Sequence, residues 1–431
     1  MTSTGQSSAA RVMADRFDLK KSLAAGRIWQ SSPSGTSKTS GAMSMQRLQE
    51  MQPSSIQTFL IIVYSANTVL WLLRHGRRRS CYHVLERKLT VKAVVVHEHG
   101  GVEKLIIENR PLPDPGPREV RVRLEAVGLN HLDVWVRRGV PGHEFPLPLI
   151  TSSDGAGVVD AVGPGVQNVA VGTEVVILPG VSCGICASCQ SGQDQLCGKY
   201  QILGEARDGC CAEYTVVPDA NVAPKPDGLD FPAAASFCLS FQTSWSMLRR
   251  ARLQPGETIL IQGAGSGVGT AAVQIAKLLG ATVIATAGSQ SKCDAAAELG
   301  AEHVIDYSHQ DFVDSVRRIR GRSGVDVVFE HVGAKTFEDS VRCLARGGRL
   351  VTCGATTGGE VKLSLHRLFF KNLSVIGNTM GSRVDLLRVI TLVDQGRLKP
   401  IVDSVLKLED VARAHELLES RDVFGKIVLK P

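Results

Sequence analysis

Residues 257–288 limit the fold of this chain more than any other stretch. They read as an apolar run (Thr258 to Ile261), a glycine-rich turn (263–269, GAGSGVG), a helical pattern and a second apolar run (Thr282 to Thr286). This order predicts a β-α-β unit whose first helical N–H groups point at whatever occupies the turn. Glycines allow a pyrophosphate to approach those N–H groups, so we expect a dinucleotide-binding site rather than a plain tight turn.

The distribution of charge and cysteine narrows the class of protein. The first 90 residues carry 13 of the 49 Lys and Arg but only 4 of the 42 Asp and Glu, so the remainder is close to neutral. A near-neutral body argues against nucleic acid as a partner. Four of the 11 cysteines fall within residues 183–197 and the others are scattered. This usage fits a metal cluster in a reducing compartment better than a disulfide framework, so we expect the body to be cytoplasmic.

The first 90 residues allow three interpretations. Residues 1–56 are rich in Ser, Gln, Ala and Met, and we expect them to be disordered. Residues 59–73 are an apolar run followed by arginines, but the run is shorter than the ~20 residues that span a bilayer. The segment could anchor the protein to a membrane, target it to an organelle, or be an extension of a protein that begins at Val91.

From Lys92 to about Ser236 the pattern is β-type, with alternating polarity and frequent turns. Many short strands in succession predict a barrel-like β domain that precedes the α/β domain. Within it lies the spacing Cys183-x2-Cys186-x2-Cys189-x7-Cys197. Four thiolates on a short loop can close a tetrahedron around Zn²⁺ with no open position, which is typical of a structural site. An iron–sulfur cluster is the rival interpretation.

The β domain, the cysteine loop and the GAGSGVG turn together resemble the medium-chain dehydrogenase/reductase superfamily, over about residues 92–431. The resemblance implies an α/β fold with a GroES-like β-barrel domain and a Rossmann domain that has a doubly wound parallel sheet. It also implies a C-terminal segment that returns to the first domain, and a homodimer. We therefore expect four regions: an extension (1–90), a GroES-like catalytic domain (91–238), a Rossmann domain (239–379) and the C-terminal return (380–431).

The sequence departs from the family pattern where alcohol dehydrogenases bind a catalytic zinc. Asn130 and Ser153 stand where the family has a Cys and a His ligand, Asp154 replaces a Glu, and the third ligand position falls near Leu239. A set rebuilt from Cys238, His131 and Asp133 is the weaker alternative. The loss resembles the zinc-free quinone and enoyl reductases of the superfamily. In such relatives an Asn at this position lies beside the nicotinamide ribose.

The end of the second strand bears on the choice of cofactor. NAD enzymes place an acidic residue there, whereas this chain has Ala287, Gly288 and Ser289, followed by Lys292. Ser289 and Lys292 could bind a 2′-phosphate, so NADP is expected over NAD. By resemblance, Tyr307 flanks the adenine phosphate. The predicted cofactor-binding residues are Gly265, Ser266, Gly267, Val268, Gly269, Ala287, Ser289, Lys292 and Tyr307.

These features predict an NADPH-dependent reductase of an α,β-unsaturated carbonyl compound or a quinone, with zinc in a structural role only. The predicted catalytic residues are Asn130, which would orient the cofactor or substrate, and His131 and Asp133, for proton delivery or cofactor contact. Zinc-type oxidoreduction of alcohols or aldehydes and a cofactor-binding redox sensor without turnover are the alternatives. Small molecules are the expected partners. Membrane contact is expected only if residues 59–73 insert into a bilayer.

Overall fold

The structure is a computed structural model. It describes the backbone of residues 28–31, 37–40, 56–65, 68–75 and 81–431, and the side chains from residue 89 onward. The chain forms two compact units, residues 1–90 and 91–431.

The first unit contains an antiparallel five-stranded sheet with the order β2-β1-β5-β4-β3. Its strands are Ile28–Ser31 (β1), Ser37–Ser40 (β2), Ile56–Ser65 (β3), Thr68–His75 (β4) and Cys81–Lys88 (β5). The apolar run 59–73 therefore lies in two paired strands. Most of the segment predicted to be disordered, 1–56, lies outside the described residues. No helix in the described part of the chain is long and apolar enough to cross a membrane.

The second unit begins with a β domain. Its main sheet has the order β15-β11-β10-β8-β23-β22, with β14 also paired to β8, and smaller sheets join β7-β6-β9 and β12-β13. The strands and helices of this part are Thr90–Val96 (β6), Leu105–Pro111 (β7), Glu119–Gly128 (β8), His131–Arg138 (α1), Leu149–Ile150 (β9), Asp154–Val162 (β10), Glu174–Ile177 (β11), Gly180–Val181 (β12), Ala187–Gln190 (α2), Gln201–Ile202 (β13), Tyr214–Pro218 (β14) and Val222–Pro224 (β15). Inward-facing Val122, Leu124 and Val127 of β8 are buried in a shared core, which confirms the predicted barrel-like β domain.

A parallel six-stranded sheet with helices between its strands follows, which confirms the predicted Rossmann domain. Its elements are Phe231–Ala234 (α3), Cys238–Arg250 (α4), Thr258–Ile261 (β16), Gly267–Leu278 (α5), Thr282–Ala287 (β17), Gln290–Glu298 (α6), His303–Asp306 (β18), Phe312–Arg320 (α7), Val325–Glu330 (β19), Phe337–Cys343 (α8), Leu344–Thr352 (β20), Leu365–Phe370 (α9) and Ser374–Gly377 (β21). The order is β18-β17-β16-β19-β20-β21, so the chain reverses direction across the sheet between β16 and β19. A crevice for a ligand is expected at the carboxyl ends of those two strands.

The C-terminal segment returns to the β domain. After Arg383–Asp394 (α10), Val402–Lys407 (β22) and Val411–Ser420 (α11), strand Lys426–Lys430 (β23) pairs antiparallel with β8, with Leu429 opposite Val127. The Leu129 N–H also donates to the Ile427 carbonyl over 3.0 Å. This pairing places the start of β23 beside the residues that follow β8. The predicted domain limits at 238/239 and 379/380 stay a prediction.

Candidate active site

A cleft of about 880 Å³ opens within residues 91–431 at the carboxyl ends of β16 and β19. Gln262 and Gly263, which follow β16, and His331, which follows β19, line it. Residues of the β domain, including Asn130 and His131, line it as well. The cleft thus lies at the sheet's switch point, where open α/β folds bind their ligands.

The glycine turn is fixed by its own hydrogen bonds. Ser266 is the N-cap of α5, and its hydroxyl oxygen accepts a hydrogen bond from the Gly269 N–H over 2.9 Å. A Cβ at Gly269 would lie only 2.3 Å from the Gly263 carbonyl oxygen, so this position has no room for a side chain. The turn therefore presents the free N–H groups of α5 to the cleft, as an anion such as a pyrophosphate requires.

Seven of the nine predicted cofactor-binding residues line the cleft: Gly265, Ser266, Gly267, Val268, Ala287, Lys292 and Tyr307. Two do not. Gly269 is buried beneath the turn, where close packing requires glycine. Ser289 is the N-cap of α6 and accepts the Lys292 N–H. Ser289 is therefore already engaged as a cap, and its role as a phosphate ligand stays a prediction.

A cluster of basic and aromatic groups lies at the end of the cleft near β17. The Lys292 ammonium donates to the Arg421 carbonyl oxygen over 2.8 Å and lies 3.6 Å from the Asp422 carboxylate. Arg421 also lines the cleft, and its backbone is left-handed, with φ of 60°. Tyr307 is half exposed, and its hydroxyl lies 2.5 Å from the point where a Cβ on Gly288 would be. Lys292 and Tyr307 can therefore reach one anionic group here, whereas the Arg421 guanidinium donates to the Thr356 carbonyl oxygen over 3.4 Å.

At the other end, two loops that follow β19 and β20 line the cleft, as their positions predict. His331, Val332, Gly354 and Thr356 come from these loops. The His331 Nε2 lies 2.8 Å from the Gln262 carbonyl oxygen and 3.3 Å from the Ser266 hydroxyl, which ties the β19 loop to the glycine turn. Burial lowers the pKa of His331, so a neutral ring is favoured there.

The positions that correspond to the family's catalytic zinc ligands converge on the Asp154 carboxylate. One oxygen accepts the Leu239 N–H over 2.9 Å. The other accepts the Asn130 side-chain amide over 3.0 Å and the Lys426 ammonium over 3.1 Å. Lys426 also donates to the Asn130 side-chain oxygen. An ammonium group, held by β23, therefore neutralises this buried carboxylate.

The two other predicted catalytic residues have different surroundings. His131 lines the cleft, and burial together with the nearby Arg421 lowers its pKa to about 4. Asp133 is fully buried beneath the cleft and does not line it. Its carboxylate accepts the N–H groups of Asn130 (2.7 Å) and Ser152 (3.0 Å), and burial raises its pKa to about 7. Asp133 thus fixes the start of α1, whereas His131 can face a ligand.

The four predicted zinc ligands lie together. The Sγ atoms of Cys183, Cys186, Cys189 and Cys197 are within 4.8 Å of one another. Individual S–S distances are 3.9 Å (Cys183 to Cys189), 3.5 Å (Cys186 to Cys189) and 3.6 Å (Cys183 to Cys197). A ZnS₄ tetrahedron with ~2.3 Å bonds has S–S edges of roughly 3.8 Å, so the donor set fits Zn²⁺. The Ile185 and Cys186 N–H groups lower the pKa of Cys183 to about 6, which favours the thiolate that a metal needs.

The residues around Asp154 do not fit a second zinc. Among the described residues, the cysteine loop is the only group of three or more His, Cys, Asp or Glu that could hold a metal ion. Ser153 is buried and does not line the cleft. Cys238 is buried behind the cleft, and burial raises its thiol pKa well above the ordinary value. Asn130 and Lys426 supply an amide and a cation where a zinc site needs thiolate and imidazole.

Arg421 and Lys426 also line the cleft. The sequence predicted no role for either residue, although both belong to the predicted C-terminal return, 380–431. Local spacing gives no signal for either, because each reaches the cleft only when α11 and β23 return to the β domain. The only hint in the sequence is that a basic residue lies on either side of the start of β23. Basic residues at such places are common on solvent-exposed surfaces, so the hint does not identify a site.

Two family models match the chain. An alcohol dehydrogenase GroES-like domain matches residues 116–227, and a zinc-binding dehydrogenase domain matches residues 267–395. An NAD-dependent alcohol dehydrogenase of Sulfurisphaera tokodaii is 33% identical over 336 residues, covering 76% of this chain and 96% of that protein. A quinone oxidoreductase of Pseudomonas aeruginosa is 33% identical over 353 residues, with 79% and 99% covered. A crystal structure of an NAD-dependent alcohol dehydrogenase superposes with a TM-score of 0.76 at 51% identity, covering 79% of this chain and 99% of that one.

The fold, the cleft at the switch point and these matches agree with one another. The protein is an oxidoreductase that uses a nicotinamide cofactor, and its cysteine loop carries the donor set of a zinc site. The chain belongs to the medium-chain dehydrogenase/reductase superfamily.

Proposed function

We propose that this protein is an NADPH-dependent reductase that delivers hydride to the activated C=C bond of an α,β-unsaturated carbonyl compound or to a quinone. One observation carries the proposal: the Asp154 carboxylate is neutralised by Lys426 and accepts a hydrogen bond from the Asn130 amide, in the place where alcohol dehydrogenases of the family assemble a catalytic zinc. Such a cleft polarises a substrate oxygen through hydrogen-bond donors. These suit a conjugated acceptor, because its developing charge is spread onto a carbonyl oxygen.

Different groups of the protein have different roles along the cleft. The α5 N–H groups and the Ser266 cap hold the pyrophosphate, and the loop that carries His331 borders the nicotinamide. NADPH, when bound, supplies the hydride. Because the pKa of His131 is about 4, its ring is neutral at neutral pH and can donate one hydrogen bond but carries no positive charge. Zinc held by the cysteine loop would fix that loop, and no step passes through it.

The preference for NADPH is supported by the groups at the end of β17. No carboxylate is present at the end of β17, at Ala287, Gly288 or Ser289, and the Lys292 cation lines the cleft beside it. Acidic residues at this position favour NAD because they bind the ribose hydroxyls and repel a 2′-phosphate. Some relatives are named as NAD-dependent, so a preference for NADH is the competing hypothesis. The ratio of kcat/KM with NADPH to kcat/KM with NADH decides between the two.

A substrate panel tests the proposal. Full-length protein and a version that starts at Val91 are assayed for NADPH and NADH oxidation with enones and quinones, and for NAD(P)⁺ reduction with alcohols. We expect enone or quinone turnover with NADPH in both proteins. Turnover of alcohols alone, or two tightly held zinc ions per chain instead of one, would contradict it.

The names of the relatives favour a second candidate, the oxidoreduction of alcohols or aldehydes. A redox sensor that binds the cofactor without turnover is a third. Tight NADPH binding with no activity across the panel would favour the sensor.

We further propose that the protein forms a homodimer through one of the two free edges of the six-stranded sheet. β21 is the terminal strand at that edge, so its outer hydrogen-bonding groups are open to a second copy. Leu365, Phe369 and Phe370 of α9, the helix that precedes β21 in the chain, are exposed apolar side chains, and the two Phe rings lie 4.6 Å apart. Exposed apolar side chains of this kind favour β21 over the opposite edge strand, β18, as the site of self-association.

A further inference from the structure

A lysine ammonium lies at the floor of the cleft, almost out of contact with solvent. The Lys426 side chain is 6% exposed and its partner Asp154 is 1% exposed. Burying a charged pair is costly unless its geometry is good and the remaining donors are used. A buried lysine at a ligand-binding surface therefore calls for an explanation beyond fold stability.

The backbone fixes where this ammonium can go. β23 pairs with β8, and the Lys426 N–H donates to the Ile401 carbonyl, so the residue cannot slide along the cleft. A Cβ on Gly267 would lie 2.8 Å from the Lys426 Cδ, so the lysine stem runs against the glycine turn. The ammonium is thus held between the turn that binds the cofactor and the Asn130 side chain.

The count of donors leaves one N–H for a ligand. An ammonium has three N–H donors. Two go to the Asn130 side-chain oxygen and to Asp154, and the third has no acceptor among the described residues. Asn130 has none to spare, because its amide donates to Asp154 and to the Gly128 carbonyl. Lys426, which lines the cleft, therefore has the free donor that Asn130 lacks.

We propose that Lys426 binds the substrate's carbonyl oxygen and stabilises the negative charge that develops there during hydride transfer. The inference rests on the proposed function. Hydride from the reduced nicotinamide forms the new C–H bond at the β-carbon, the C=C electron pair moves to the α-carbon–carbonyl bond, and the carbonyl pair moves onto oxygen. Lys426 keeps its proton and hydrogen-bonds the enolate, and the α-carbon then takes a proton from water. NADPH is oxidised and the C=C bond is reduced, so the electrons balance.

Lys426→Met removes the charge and keeps most of the stem. We expect kcat to fall by about 100-fold or more, as it does when one oxyanion donor is lost, while the NADPH Kd stays within about threefold. Lys430→Met is the matched control, since Lys430 is exposed on the same strand and should leave kcat unchanged. A loss confined to NADPH affinity would overturn the proposal, because Lys426 would then be a cofactor ligand.

Lys426→Met leaves Asp154 without its cation, so stability could fall as well. The double variant Asp154→Asn/Lys426→Met removes both charges and should recover the thermal midpoint. We expect its kcat to stay low. A return to wild-type kcat would show that Lys426 only balances Asp154, and would overturn the proposal. Rescue of Lys426→Ala by added methylammonium or ethylammonium is a second readout, which a purely structural role would not give.

The two proposals can fail separately. If wild-type protein oxidises alcohols and reduces no enone or quinone, the proposed function fails, and the same variants are compared on the alcohol. If the protein turns over no substrate of the panel, the affinity of the NADP⁺-loaded protein for cinnamate is measured instead of kcat. The cinnamate carboxylate presents an anionic oxygen to the cleft. Lys426→Met should weaken that binding about tenfold or more, and an unchanged affinity would overturn the inference.

Discussion

Four basic residues line the cleft, Lys292, Lys335, Arg421 and Lys426, and their partners differ. Lys426 is enclosed by Asn130 and Asp154. The Lys292 ammonium donates to the Arg421 backbone carbonyl, and the Arg421 guanidinium donates to the Thr356 carbonyl. The enclosed cation can act on a reacting oxygen, whereas the more exposed Lys292 suits a phosphate group.

Removal of the Lys292 cation should change the choice of cofactor. In Lys292→Ala, we expect kcat/KM for NADPH to fall by about 10- to 100-fold, because a charge-assisted hydrogen bond to the 2′-phosphate is lost. NADH lacks that phosphate and is the internal control. Equal losses with both cofactors would contradict a 2′-phosphate site, and steady-state kinetics with each cofactor measures this.

His415 should make the fold sensitive to acid. It is buried on α11 with neither ring nitrogen hydrogen-bonded to the described residues, and burial together with Arg137 lowers its pKa to about 3. The folded pKa is below the unfolded value of about 6.5, so as pH falls through that range only the unfolded state gains this proton and stability is lost. In His415→Leu this loss, about 1.4 kcal/mol per pH unit, should disappear.

Urea unfolding of wild type and His415→Leu at pH 7, 6 and 5 measures this difference. Between pH 7 and pH 5, the free energy of unfolding of the wild type should fall by about 2 kcal/mol relative to that of His415→Leu. Parallel curves would show that His415 does not cause the sensitivity. His309→Leu is the control, since His309 is exposed.

At the scale of the elements, the cysteine loop is held only weakly by packing. Its two short helical turns, Ala187–Gln190 (α2) and Asp194–Leu196, are too small for a core, and Ile185 within it is 81% exposed. A loop of this kind needs a cross-link to keep one conformation.

Cys186→Ser should lower both zinc content and the thermal midpoint, since one of four thiolates is lost. Turnover by the protein that remains folded should change little, because the loop lies outside the cleft lining. Ile185→Ser, next to the ligand and exposed, is the control. Metal analysis and thermal unfolding compare Cys186→Ser with Ile185→Ser. A lower kcat for Cys186→Ser at unchanged stability would contradict a structural role of the zinc.

The sequence predicts sites that are formed by neighbouring residues better than sites that are formed by distant ones. The glycine turn and the cysteine loop were predicted because each is complete within a few residues: Ser266 bonds to Gly269, and four thiolates fall in one short loop. The Lys426 contact joins residues 296 positions apart, so no local pattern reveals it. Asp133 was predicted to face the reaction and instead lies beneath the cleft, because its spacing from Asn130 suits a helix cap as well as a catalytic carboxylate.

At the scale of the whole molecule, the β21 edge and helix α9 form the surface that we propose a second copy covers. Phe369→Ser/Phe370→Ser removes two exposed rings from α9 and should shift the protein from dimer to monomer, because it removes apolar area from the contact. Light scattering on gel-filtered protein measures the mass. Val171→Ser, an exposed apolar position in the β domain, is the control. A wild-type monomer would contradict the proposed dimer.

The pairing of β23 with β8 also sets an order of events during synthesis. Asn130 leaves the ribosome 296 residues before Lys426, and the glycine turn and cysteine loop are both made in between. A nascent or clipped chain that stops short of Lys426 would hold a cofactor turn and a zinc loop, yet its Asp154 would lack a countercharge. On the proposed mechanism such a chain would also lack the donor for the substrate oxygen, so hydride transfer depends on the last strand of the chain to be made.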